Sequence, residues 1–81
     1  MNKIINLNKS VYDIYMEYPE ILEIMNEMGF HDIVKTGMLQ TAGRFMTIPK
    51  GAAVKKISLD QVKETLVEKG FTVLEREDQN E

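Results

Sequence analysis

Ser10-Val11-Tyr12-Asp13-Ile14-Tyr15-Met16-Glu17-Tyr18-Pro19-Glu20-Ile21-Leu22-Glu23-Ile24-Met25-Asn26-Glu27-Met28-Gly29 reads as two short helices meeting at a sharp corner. Ser10, with Asp13 three residues on, is a relative of the capping box. Val11, Ile14, Tyr15 and Tyr18 then fall at i, i+3, i+4 and i+7, one face of an amphipathic helix. Pro19 ends that helix, because the residue before a proline is pushed out of the helical region. The same proline suits the first turn of a second helix. This one turns Ile21, Leu22, Ile24, Met25 and Met28 inward and Glu20, Glu23 and Glu27 outward, with Gly29 as its C-terminal cap.

Outward from this pair the signals vary in clarity. Lys3-Ile4-Ile5-Asn6-Leu7 is β-prone, and so is Phe71-Thr72-Val73-Leu74-Glu75. The two can pair and tie the chain ends together, given helices beneath them. Asp32 suits the cap of a turn through Ile33-Val34. Met38, Leu39, Ala42, Phe45 and Met46 keep helical spacing and predict a helix over 38–46, which Gly43 weakens by about 1 kcal/mol relative to alanine. Thr47 suits the N-cap of a short helix from Ile48-Pro49 to Lys55 or Lys56. Ser58-Leu59-Asp60-Gln61 is a full capping box opening the last helix, with Leu59, Val62 and Leu66 on one face and Gly70 closing it. The expected fold is mostly α: a small single-domain array of four to five short helices over residues 1–81, with a short two-stranded ribbon joining the chain ends. Residues 75–81 read as a solvated acidic tail.

The chain has 81 residues, which is room for one domain with a thin core. Core packing at this size supplies only about 3–5 kcal/mol of net stability. Small domains often add disulfides, metals or oligomerisation. With no cysteine, disulfides, zinc ribbons, iron–sulfur clusters and thiol redox chemistry are out. A homodimer would complete the core. No apolar run approaches a membrane span, and the polar start does not resemble a signal peptide, so a cytoplasmic protein without membrane contact is expected.

Charge is uneven. Residues 1–30 set Lys3 and Lys9 against five carboxylates, and residues 58–81 set three cations against seven. Between them, Lys35, Arg44, Lys50, Lys55 and Lys56 face Asp32 alone. Self-neutralisation between neighbouring elements accounts for such a pattern. A duplex-binding domain would be more basic and carry a recognition motif, so no nucleic-acid partner is expected.

No residues at motif spacing carry catalysis or hold a metal, and the expectation is a non-enzyme without cofactors. His31, the lone histidine, has no nucleophile or orienting group at motif spacing and reads as a loop residue after the helix cap. Glu20, Glu23 and Glu27 read as a solvated helix face. Of six methionines, Met16, Met25, Met28, Met38 and Met46 mostly fall at core spacing, although methionine also suits adaptable grooves. The segment Thr41-Ala42-Gly43-Arg44-Phe45-Met46-Thr47-Ile48-Pro49-Lys50-Gly51 is the one that looks over-specified. Thr41, Gly43, Arg44, Thr47 and Lys50 form a candidate ligand or partner site: Arg44 offers planar donors to a carboxylate or phosphate, and free amides at a helix start favour an anion. Equally, Thr47 can simply cap, Gly43 can permit close packing and Arg44 can pair with an acidic neighbour.

The same residues carry a resemblance. Ser10-Val11-Tyr12-Asp13-Ile14, Glu17-Tyr18-Pro19-Glu20-Ile21 and Met28-Gly29-Phe30 resemble the opening of a family of small bacterial helical domains, domain of unknown function 1858. Met38-Leu39-Gln40-Thr41, Gly43-Arg44-Phe45-Met46-Thr47, Gly51-Ala52 and Ile57-Ser58-Leu59-Asp60 are similar to its longer, cysteine-free branch. Relatives include a redox-disulfide domain associated with hybrid cluster protein and the N-terminal domain of di-iron proteins that repair iron–sulfur clusters. In both, cysteines follow the glycine that ends the second helix. Here that place reads Gly29-Phe30-His31-Asp32-Ile33, so no redox residue carries over. The resemblance implies a protein partner or accessory role, in company with haemerythrin-like or other redox- and metal-related domains.

Overall fold

A computed structural model describes residues 3–35 and 37–75. Each of the three hydroxyl caps read from the sequence opens a helix. Ser10 Oγ accepts the Asp13 N–H at 3.1 Å at the start of α1 (Val11–Glu17). Thr47 Oγ1 accepts the Lys50 N–H at 3.3 Å ahead of α3 (Ile48–Lys55). Ser58 Oγ accepts the Gln61 N–H at 3.4 Å ahead of α4 (Leu59–Glu68). The corner also stands: α1 closes on Tyr18, and α2 (Ile21–Met28) begins two residues after Pro19. Its end is a Schellman closure, in which the Gly29 N–H donates to Asn26 O and the Phe30 N–H to Met25 O. Gly29 adopts φ 112°, which turns Phe30 back into the core.

The strand pair forms, and it is parallel. β1 (Lys3–Asn6) runs beside β2 (Phe71–Leu74) with Lys3 opposite Phe71 and Asn6 opposite Leu74. Parallel neighbours need a long crossover, and here the entire helical body supplies it. Two such strands are marginal alone. They persist because α4 packs against β2, and because Ile5, Leu7 and Phe71 insert into the core. Tyr18 adds two ties: its hydroxyl accepts the Ile4 N–H at 3.1 Å, and its ring meets Phe71 edge-on at 5.3 Å.

The core draws on every helix, with Val11, Ile14, Ile21, Ile48, Val62 and Leu66 essentially inaccessible. Two expectations about packing fail. Met16, counted among the core-spaced methionines, is 62% exposed, because it follows the buried face of α1 by one residue and points away from it. The larger correction concerns residues 38–46. No α-helix forms there. Turns lead into a 3-10 turn, Ala42–Arg44. An α-helix would have the Thr41 N–H donate to Gly37 O. Instead the Thr41 hydroxyl takes that carbonyl at 2.9 Å, while its N–H goes to Met38 O. Threonine side chains compete for backbone acceptors in this way. The broken ladder also resets the faces, so Phe45, expected inward, is 79% exposed.

Asp32 opens a further 3-10 turn, Asp32–Val34, as its first residue rather than as a side-chain cap. Glu75, assigned from the sequence to the tail, accepts an ion pair from Lys63 at 2.8 Å. The rest of that tail, 76–81, lies outside the described residues. Among the described residues, no helix is long and apolar enough to cross a membrane.

Candidate functional site

The N-caps of α1 and α3 stand side by side. Ser10 and Thr47 form an isolated antiparallel bridge, and the Val11 N–H donates to Met46 O at 2.8 Å. This junction fixes the segment 41–51 against α1, and each of its five candidate residues takes a distinct place. Thr41 spends its hydroxyl on Gly37 O. Gly43 is buried, and a Cβ there would come within 3.1 Å of Leu39 Cδ1. Thr47 caps α3. Arg44 finds no carboxylate among the described residues: its Nε donates to Gln40 O at 2.9 Å, and its guanidinium lies 4.5 Å from the centre of the Tyr12 ring. The Lys50 ammonium has no side-chain partner there either. The three uncharged members thus hold the segment's shape, and the two cations are left for the surface.

What the segment builds is an apolar cleft against α3. Ala42, Phe45 and Met46 form one side, and Lys50, Ala53 and Val54 the other. Phe45 is 79% exposed and Val54 71% exposed, and both open onto the same cleft. Sequence reading missed both. Phe45 was assigned to the core of a helix that does not form, and Val54 carries no motif. Two glycines and a threonine within residues 37–43 were the available signal that the periodicity there was unsafe. Beside the cleft, and sharing Ala42, Met46 and Val54 with it, lies a partly open cavity of about 150 Å³. Met25, Phe30, Ile33 and Met38 line its deeper wall.

The basic middle of the chain neutralises itself only in part. Lys55 reaches Asp32 at 2.6 Å and Lys35 reaches it at 3.3 Å. Hydrogen bonds from Lys55 and then Lys35 hold the Asp32 carboxyl below its ordinary value. Whatever stability this triad adds is therefore present above the unfolded-state value and is lost as pH falls through the lower folded one. Followed by carbon NMR, the Asp32 carboxyl should titrate below the ordinary aspartate value of about 3.9. Lys55→Ala should move the midpoint upward, and added salt should shrink the difference. An unchanged midpoint in Lys55→Ala would remove the ion pair from the account.

His31 follows the cap as expected, with its Nδ1 2.7 Å from Asn26 Oδ1. Of the acidic face of α2, Glu20 pairs with Lys3 and Glu27 with Lys69. Among the described residues, no three His, Asp or Glu side chains gather to hold a metal ion.

Residues 5–63, from β1 through the first half of α4, match the family model of the domain of unknown function DUF1858. The chain belongs to the DUF1858 family. The matched stretch contains the helical corner, the cleft and the cavity, so these are features of a DUF1858 domain and not of an appendage to one. The fold is also similar to the crystal structure of a conserved domain protein from Streptococcus pneumoniae TIGR4, with a TM-score of 0.87 and 28% sequence identity. That likeness covers 95% of this chain and 98% of the other. No curated protein matches the chain.

Proposed function

We propose that this DUF1858 domain is a non-enzymatic interaction module that receives an acidic, amphipathic helix of a partner protein in the cleft between residues 42–46 and α3. The supporting observation is the pair Phe45 and Val54, two large apolar side chains left in solvent on opposite walls of one cleft. Large apolar groups clustered on a small soluble surface mark contact sites. A helix laid in a groove buries such anchors at i, i+3 and i+4 spacing. Met46 at the cleft floor can adjust to the partner's shape. The sign of the partner's charge follows from Arg44, Lys50 and Lys56, which have no carboxylate among the described residues. Complementary charge would steer association and fix register. The family likeness makes a haemerythrin-like or other redox- or metal-related protein the first partner to try.

A second reading, a small anionic ligand held at the Gly43-Arg44 to Lys50-Gly51 segment, rests on the same two uncompensated cations, Arg44 and Lys50. One set of measurements separates the readings. Capture of a partner by the full chain should be lost in the double variant Phe45→Asp, Val54→Asp. It should survive in Val67→Asp, which alters an exposed apolar residue on α4. Capture that persists in the double variant overturns the cleft reading. Saturable binding of inorganic phosphate, lost in Arg44→Ala, would support the anion instead. Sedimentation of the wild type at rising concentration would identify a second copy of the chain as the occupant.

A further inference from the structure

The cavity beside the cleft carries a separate argument. It is walled by Val11, Met25, Phe30, Ile33, Met38 and Met46, from α1, α2 and the turns that follow. Gly51 completes it on the α3 side. A Cβ there would stand 3.3 Å from Phe30 Cε1 and 3.7 Å from Met46 Sδ, so bare backbone is what lets the Phe30 ring come this close to the helix. The polar groups that reach the cavity are already committed. Thr47 Oγ1 accepts the Lys50 N–H, and the Asp32 carboxylate holds Lys55 and Lys35. A charged or strongly hydrogen-bonding guest would thus be desolvated with few partners, which is costly. An apolar guest meets no such cost. This partly open cavity of about 150 Å³, with mostly apolar walls, is large enough for benzene.

We propose that this cavity is a binding site for a small uncharged apolar molecule, of the size of a single aromatic ring. The three methionines in its wall are unbranched and polarisable, suited to close around guests of differing shape. The inference does not rest on the partner reading, although the cavity shares Ala42, Met46 and Val54 with the cleft.

Its test is a titration of the full chain, carrying methyl-labelled methionine, with benzene. The Met25, Met38 and Met46 methyl signals should shift along one saturable curve, while exposed Met16 stays still. The melting temperature should rise with benzene concentration, as binding to the folded state alone requires. Ala42→Leu, which puts a larger side chain into the cavity wall, should abolish both effects while circular dichroism stays native. If that variant does not fold, Val54→Phe fills the same wall from its exposed side. Shifts that stay linear in benzene, that include Met16 equally, or that persist in the filled variant would overturn the proposal.

Discussion

Leu66→Ala is expected to strip the domain of a large share of its stability. Leu66 has no solvent exposure, and α4, which carries it, packs against β2, α2 and α3. Truncating a leucine in such a place costs about 2–5 kcal/mol, through lost transfer energy and the cavity left behind. The entire net stability of a domain this small is about 3–5 kcal/mol. The substitution therefore consumes from about two fifths of it to all of it. Val67→Ala, one residue along and 58% exposed, should change stability by less than about 0.5 kcal/mol. Urea unfolding followed by circular dichroism measures both. A loss below about 1 kcal/mol for Leu66→Ala would mean that α4 is not the element that closes the core.

This contrast shows which parts of the molecule were legible in the chain. Val62 and Leu66 follow a capped start at Ser58, and there helical period and local chemistry agree. The same agreement made α1, α2 and α3 readable from Ser10, Pro19, Gly29 and Thr47. Residues 38–46 have the period without the chemistry. Apolar spacing says which face a helix would bury, but not whether the backbone ladder survives a threonine hydroxyl that takes the Gly37 carbonyl. The direction of the β1–β2 pairing was also out of reach. Four-residue strands contain no sign of which way the intervening helices return the chain.

The candidate site was half legible for the same reason. Thr41, Gly43, Arg44, Thr47 and Lys50 were singled out as residue types that bind, and three of them turn out to hold the segment's shape. The surface that results is made by Phe45, exposed by the turn at Ala42–Arg44, and Val54, on the face of α3 turned away from its buried residues. A cleft of this kind emerges only when a periodic segment departs from its period.

Gly29→Ala should destabilise the fold by about 1–3 kcal/mol, the range for a residue forced into a sparsely populated backbone region. At φ 112° a side chain is strained whatever space surrounds it, and the Schellman closure of α2 depends on that angle. There is little space either, since the added Cβ would stand 3.2 Å from Ile57 Cδ1. Gly70, at φ 100° with nothing within 4 Å of its Cβ position, carries backbone strain alone, so Gly70→Ala should cost less. The two parts can be separated by a double-mutant cycle. Ile57→Val deletes Cδ1, and in the Gly29→Ala background it should cost less than it does in wild type, with the backbone strain remaining. Stability also bears on the proposed cavity site here, because Gly29 turns the chain so that Phe30 lines the cavity and Asp32 comes within reach of Lys55. A Gly29→Ala protein that unfolds within about 0.5 kcal/mol of wild type would show that α2 can end, and Phe30 can be placed, without the left-handed turn.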